Sequence, residues 1–88
     1  MIKVKLYAEY RDILGKNEID VPCDQMTFKD IVEYISDNYN KDFIKAAIQN
    51  GKINGYMLVM VEDRMLTSID DTIKNGETLK ILATAHGG

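Results

Sequence analysis

The sequence is poor in the residue types on which catalytic sites usually depend. Among its 88 residues are one cysteine and one histidine. Cys23 has no second cysteine for an intramolecular disulfide, and a pair formed by Cys23 and His86 would lack a third group to orient the base. We therefore expect Cys23 to be a structural thiol and the protein not to be a catalyst on its own.

Positive charge is also scarce, with 11 Lys and Arg against 14 Asp and Glu and a net charge of -3. Nucleic acids and anionic membranes both favour clustered positive charge, so we expect neither as a partner. No apolar run approaches the ~20 residues that cross a bilayer. The first five residues alternate apolar and cationic side chains where a secretory signal would be continuously apolar. These features predict a cytoplasmic protein.

Motifs for metals and phosphates are lacking as well. The acidic doublets Glu62-Asp63 and Asp70-Asp71 lie in predicted turns, without further ligands at a suitable spacing. The sequence has no glycine-rich loop of the Walker or dinucleotide-binding type. We expect no bound metal and no bound cofactor.

The first part of the chain predicts two strands and a helix. Apolar and polar residues alternate over Ile2–Tyr10, which places Ala8 on the core side, and again over Asn17–Val21. Between these strands, residues 11–15 predict one helical turn that ends at a glycine. Thr27 can accept a hydrogen bond from the amide three residues later, so we expect it to cap an amphipathic helix over residues 28–38.

The rest of the chain predicts a short helix and three strands. Residues 42–49 carry apolar side chains at helical spacing. Residues 56–61 are apolar on both sides, which indicates a central strand or one whose outer side meets a partner. We expect a short strand over residues 65–67, a loop over residues 70–75 and a last strand over residues 77–83.

This order of elements predicts an α+β fold. A helix with one apolar stripe and a sheet with one apolar face bury each other when the sheet wraps across the helix. The expected architecture is a β-grasp, or ubiquitin-like, fold in which a mixed sheet of about four to five strands packs on one main helix. We place the domain at residues 1–83 and a flexible C-terminal tail at residues 84–88.

The tail is the feature that points to a function. It ends in Gly87-Gly88, and its five residues can extend ~17 Å, far enough to enter another protein's active site. Two residues without Cβ atoms can enter a channel that is too narrow for side chains. We expect Ala85 and His86, which precede them, to enter the same channel. The terminal carboxylate is ionised at neutral pH and can attack the α-phosphate of ATP. The tail is therefore expected to be a substrate of another enzyme.

The sequence resembles the MoaD/ThiS family of ubiquitin-like sulfur carriers, and most of all its molybdopterin branch. The similar stretches are residues 2–15, the helix that follows Thr27, residues 75–79 and the final Gly87-Gly88. The segment at residues 11–15 is typical of the molybdopterin branch. The resemblance covers nearly the whole chain and implies the same fold.

The resemblance also implies roles for the last residues and for two partners. Gly88 would be adenylated by an E1-like enzyme of the MoeB/ThiF type, which uses ATP, and then converted to a thiocarboxylate. The thiocarboxylate would enter the large, MoaE-type subunit of molybdopterin synthase and give its sulfur to a pterin precursor. Gly87 matches the glycine that keeps the tail slim.

Two alternatives stay open at this point. The first is a ubiquitin-like carrier for thiamine, amino-acid or tRNA thiolation, or a protein modifier that is joined to lysines through Gly88. The second is a β-grasp interaction module without carrier chemistry, whose Gly-Gly ending is accidental.

Strand alternation also predicts a partner surface. Tyr7 points away from the core beside the first strand, and Leu82 does so in the last strand. One side of the strand at residues 56–61 adds further apolar residues, although the sequence does not say which side. Because a contiguous exposed apolar patch usually has a binding role, we expect Tyr7 and Leu82 to dock the adenylating enzyme and the large subunit.

Overall fold

The computed structural model describes residues 1–84, which form three helices and nine strands. The helices are α1 (Ala8–Leu14), α2 (Phe28–Asn38) and α3 (Phe43–Ala47). The strands are β1 (Ile2–Leu6), β2 (Glu18–Val21), β3 (Gln25–Thr27), β4 (Ile48–Gln49), β5 (Lys52–Ile53), β6 (Met57–Val61), β7 (Arg64–Met65), β8 (Thr72–Lys74) and β9 (Thr78–Ala83). None of the helices in this part of the chain has the length and apolar character needed to cross a membrane.

Five strands form the main sheet, in the order β2-β1-β9-β6-β7. β1 and β9 run parallel, whereas the other three neighbouring pairs are antiparallel. Two small antiparallel pairs, β3 with β8 and β4 with β5, lie outside this sheet. β9, the last element before the end of the described chain, therefore lies at the centre of the sheet with a strand on each side.

One face of the sheet and α2 bury a common core. On the sheet, alternate residues are buried: Ile2, Val4, Leu6, Met57, Val59, Val61, Leu79 and Ile81. On α2, the buried apolar residues are Phe28, Ile31, Val32 and Ile35. Burying a side chain of this size contributes about 1.5–3 kcal/mol. The predicted β-grasp fold, a mixed sheet packed on one main helix, is confirmed. We call the opposite face of the sheet the outer face.

The main helix has the bounds that the sequence predicts. The amide of Asp30 donates a 3.1 Å hydrogen bond to the Thr27 hydroxyl, which satisfies one of the unpaired amides of the first turn. Later in α2 the buried Ser36 hydroxyl accepts a 2.8 Å hydrogen bond from the amide of Ile44. That hydrogen bond connects α3 directly to α2.

The first strand is shorter than predicted. Tyr7 is the last extended residue after β1, and Ala8 turns into the left-handed region with a φ of 53°. Ala8 is exposed, so the prediction that it faces the core is wrong. Tyr10 is buried as predicted, but it reaches the core from α1. The helix ends as predicted at Gly15. The φ of Gly15 is 67°, in the left-handed region, and its amide donates a hydrogen bond to the Arg11 carbonyl, which caps the helix.

Short strands escaped the sequence patterns. Residues 70–75, predicted as a loop, contain β8, which pairs with β3 just before α2. β4 and β5 follow α3 and are joined through Asn50 and Gly51, both at positive φ. Each of these strands has two or three residues, which is too few for an alternating pattern to emerge. The predicted turn at Asn75-Gly76 is confirmed by the 3.0 Å bond from the Glu77 amide to the Lys74 carbonyl.

Candidate functional site

The described part of the chain ends one residue after β9, at Thr84. Ala83 is the last residue of β9 and lies opposite Met57 of β6. One residue further, the amide of Thr84 donates a 3.0 Å hydrogen bond to the carbonyl of Tyr56. The predicted site residues Ala85, His86, Gly87 and Gly88 lie outside the described residues, and so does most of the tail expected at residues 84–88.

The two predicted interface residues lie at the same end of the sheet. Because β1 and β9 are parallel and Leu6 is opposite Ile81, Tyr7 and Leu82 follow this pair at the same end of the sheet. The amide of Tyr7 donates a 3.1 Å hydrogen bond to the carbonyl of Ile81. Tyr7 is 38% exposed, and Leu82 is half-buried on the outer face, next to the buried Ile81. Their role in docking stays a prediction.

The structure shows which of the two apolar sides of β6 points outward. Its buried residues alternate with the half-buried Leu58 and Met60, which lie on the outer face. Leu58 is directly opposite Leu82, and Met60 is directly opposite Lys80. Tyr7 at the end of β1, Leu82 of β9 and Leu58 of β6 are thus neighbours across the outer face, and we call these three residues the apolar row.

Sequence patterns missed one apolar residue on this face. Met65 of β7 is 59% exposed and lies opposite Met60. The short strand was expected from the sequence, but its pairing partner was not, so Met65 could not be assigned to a face. The register of β7 against β6 is the information that places it.

Cys23 and Tyr10, two titratable groups at the core, both have raised pKa values. Burial raises the pKa of the Cys23 thiol, and the Asp24 charge adds to the effect against the opposing N-terminal ammonium group. A raised pKa reduces the thiolate fraction on which cysteine nucleophilicity depends. Burial also raises the pKa of Tyr10, whose hydroxyl has no hydrogen-bond partner within residues 1–84. Cys23 packs at the edge of the hydrophobic core, in keeping with the structural role expected for it.

Metal ligands do not gather in the described residues. Within residues 1–84 no group of three or more His, Cys, Asp or Glu side chains is arranged to hold an ion.

Comparison with known proteins bears on the whole chain. A family model described as the ThiS family matches residues 4–88. This match includes the last three residues of β1, the helices, the central strand β9 and the last two glycines. No curated protein sequence matches the chain.

Several solved structures share the fold at low sequence identity. A chain of the BexX/CysO complex from Amycolatopsis orientalis has a TM-score of 0.80 at 22% identity, over 100% of both chains. Small archaeal modifier protein 1 from Methanosarcina acetivorans has a TM-score of 0.73 at 19% identity, over 99% of this chain and 95% of that one. A Pyrococcus furiosus protein described as molybdopterin converting factor, subunit 1, has a TM-score of 0.67 at 23% identity, over 96% and 97%.

These structures agree in fold, and the family model spans nearly every residue. The shared fold confirms the expected β-grasp architecture, and the family model confirms the expected family. The chain belongs to the ThiS family of ubiquitin-like sulfur carriers.

Proposed function

We propose that this chain carries sulfur on Gly88 and serves as the small subunit of a molybdopterin synthase. The observation that supports the proposal is the family match, which extends through Gly88. The chain itself holds no catalytic constellation in its described residues, so its chemistry is assigned to the carboxylate of the last residue. Its partners supply the catalysis.

In the proposed sequence of steps, an E1-like adenylating enzyme of the MoeB/ThiF type binds the chain and ATP. A Gly88 carboxylate oxygen attacks the α-phosphate, and pyrophosphate leaves. Sulfide then attacks the activated carbonyl carbon and displaces AMP, which leaves a thiocarboxylate. The large, MoaE-type subunit accepts the thiocarboxylate, and the sulfur passes to a pterin precursor.

The position of β9 supports this use of the C-terminal residues. Hydrogen bonds to β1 on one side and β6 on the other hold the strand up to Ala83, and the Thr84 amide adds one bond beyond it. Ala83 and Thr84 are therefore held in a fixed position relative to the apolar row. A partner that binds this row would therefore lie within four residues of chain from the Gly88 carboxylate.

The choice of the molybdopterin pathway is supported by α1. The segment between β1 and β2 is a helix that ends at Gly15, as in the branch that the sequence resembles. The fold shared with the Pyrococcus furiosus protein points the same way. The structures of the BexX/CysO complex and of the archaeal modifier favour the second candidate function, a carrier for another pathway or a protein modifier joined through Gly88.

Mass spectrometry tests the carrier chemistry directly. The purified chain is incubated with an adenylating enzyme of this type, ATP and a sulfur source, and its intact mass is measured. We expect an increase of about 16 Da, because one carboxylate oxygen is replaced by sulfur. Deleting Gly88, or adding one residue after it, should abolish the increase while leaving the melting temperature unchanged.

The result also separates the alternatives. Transfer of AMP to the variant that lacks Gly88 would refute the carrier proposal. A thiocarboxylate that is formed but not accepted by a MoaE-type subunit would favour the second candidate function, and so would recovery of the chain joined to lysines. A capture experiment with the large subunit therefore completes the test.

A further inference from the structure

Asparagine is followed by glycine at three places in the chain, which are Asn50-Gly51, Asn54-Gly55 and Asn75-Gly76. In such a pair the backbone nitrogen of the glycine can attack the side-chain carbonyl carbon of the asparagine. Glycine favours the attack because it has no Cβ atom to obstruct the nitrogen and because its backbone rotates freely. In a folded protein the reaction also depends on how firmly the atoms of the pair are held, and this differs among the three pairs.

The pair at Asn54 is held by three hydrogen bonds. The Asn54 amide donates a 2.9 Å bond to the carbonyl of Ala47, and its side-chain Nδ2 donates a 2.8 Å bond to the carbonyl of Ala46. Its Oδ1 accepts a 2.9 Å bond from the amide of Tyr56. Both polar atoms of the side chain are therefore engaged, so its carbonyl carbon has little freedom to approach the Gly55 nitrogen.

The pair at Asn75 is exposed, but its backbone is held by residues that are distant in sequence. The Asn75 amide donates a 2.6 Å hydrogen bond to the carbonyl of Asp24. The Gly76 amide, which would be the attacking group, donates a 3.0 Å bond to the carbonyl of Met1. The side-chain Oδ1 of Asn75 also accepts a hydrogen bond from the N-terminal ammonium group. The attacking nitrogen of this pair is thus occupied.

The pair at Asn50 is held by none of these contacts. Asn50 and Gly51 form the two-residue turn between β4 and β5, and both are exposed. Their φ angles of 54° and 73° lie in the left-handed region that such hairpin turns require. Within residues 1–84 neither the Asn50 side chain nor the Gly51 amide forms a hydrogen bond. The two reacting groups are therefore both unoccupied.

The turn has to open before these two groups can meet, and the hairpin resists opening only weakly. β4 and β5 have two residues each and lie outside the main sheet. A two-stranded hairpin is marginally stable by itself. Segments with so few contacts open locally while the rest of the fold stays intact. Opening at Asn50 therefore requires less free energy than opening at Asn54 or Asn75.

We propose that Asn50 is a site of spontaneous deamidation in the folded protein. The Gly51 nitrogen loses its proton and bonds to the side-chain carbonyl carbon of Asn50, and the side-chain nitrogen leaves as ammonia. Water then opens the five-membered succinimide ring at either carbonyl, which gives aspartate or isoaspartate. Either product adds one negative charge to a chain whose net charge is -3. The reaction needs no enzyme and is independent of the chemistry proposed for Gly88.

Isoaspartate also changes the backbone of the turn. Its main chain runs through the former side chain and is one methylene group longer. A two-residue turn has no room for this extra atom, so the pairing of Gln49 with Lys52 is disrupted. Formation of isoaspartate at Asn50 therefore separates β4 from β5 and leaves the main sheet as it is.

Peptide mapping by mass spectrometry tests the proposal on the full chain. Folded protein and protein in concentrated urea are incubated in the same mildly alkaline buffer, and replacement of the amide –NH2 by –OH is followed at each asparagine. The rate in urea divided by the rate in the folded protein gives the protection of each site, free of the influence of neighbouring residues. We expect Asn50 to be at least about tenfold less protected than Asn54 or Asn75, because several hydrogen bonds hold each of those two.

Asn50→Gly is the matched control variant. Glycine adopts the left-handed φ of this position without strain, so the hairpin should form as in the wild type. A carboxyl methyltransferase specific for isoaspartate, with labelled S-adenosylmethionine, gives a second readout. We expect it to label the aged wild type but not the aged variant, while Asn54 and Asn75 stay protected in both. Protection of Asn50 equal to that of the other two sites, or equal labelling of the two proteins, would overturn the proposal.

Discussion

Leu58 of β6 and Leu82 of β9 are directly opposite each other on the outer face of the sheet. Both are half-buried, whereas their strand neighbours Val59 and Ile81 are buried in the core. Directly opposite side chains in an antiparallel pair are close enough to contact each other. The pair therefore forms the middle of an apolar surface that a partner can cover without disturbing the core.

Leu82→Glu tests this surface. The substitution places a charge in the apolar row, so we expect association with both the adenylating enzyme and the large subunit to weaken by more than about 1.4 kcal/mol, which is tenfold in affinity. The melting temperature should change little, because Leu82 lies outside the core. Tyr39→Glu, at an exposed aromatic residue after α2, is the control. A large loss of stability with binding intact would mean that Leu82 supports the fold instead of the interface.

His86→Ala tests the one unusual residue among those that precede Gly88. An imidazole can become charged near neutral pH and contact a carboxylate or phosphate of a partner. An exposed side chain with no such contact is the simpler expectation, so we predict that the rate of adenylation falls by less than tenfold. Steady-state release of pyrophosphate measures it. A loss of a thousandfold or more would assign His86 a direct part in binding the activated carboxylate.

Glu77 links three strands near the start of β9. One carboxylate oxygen accepts a 2.7 Å hydrogen bond from the Lys74 amide, and the other accepts a 3.1 Å bond from the Arg64 guanidinium. The backbone bond, followed by the Arg64 interactions, lowers the pKa of Glu77 below its ordinary value. Because the folded-state pKa is the lower one, the carboxylate stabilises the fold at pH values above about 4.3. This stabilisation disappears as the pH falls through the folded-state pKa.

Glu77→Gln should therefore destabilise the protein by about 1 kcal/mol at pH 7. The difference from the wild type should shrink as the pH is lowered below about 4. Urea unfolding at a series of pH values measures both effects. Glu33→Gln removes an exposed carboxylate that lies 4.0 Å from Lys29, so it should change stability by no more than a few tenths of a kcal/mol at any pH. A constant difference for Glu77→Gln across the pH series would contradict the assignment.

Long periodic segments made the fold predictable from the sequence. Thr27, the apolar stripe of α2 and the alternation in β1 and β9 all act locally and point to the same architecture. The strand pair β3 and β8 could not be predicted, since three residues carry no period and Thr27 already had a role as a helix cap. The corner at Ala8 also escaped, because a left-handed φ at an alanine leaves no trace in the sequence.

The candidate site was predictable only in part. Tyr7 and Leu82 followed from alternation, but β6 is apolar on both sides and its outward residues required the structure. That Lys5 lies opposite Lys80 on this face follows only from the parallel register of the first and the last strand, which are far apart in sequence. Properties that arise from long-range register are not visible in any short stretch of the chain.

The parallel arrangement of β1 and β9 has a kinetic consequence. It places Tyr7 at the same end of the sheet as Thr84, after which four residues remain. Those four residues span at most about 14 Å. If a partner binds the apolar row as predicted, this short tether would hold the Gly88 carboxylate at an effective concentration on the order of millimolar or higher. A contact of modest affinity would then be enough for the proposed reaction, and the same modest affinity would let the chain dissociate quickly and bind its next partner.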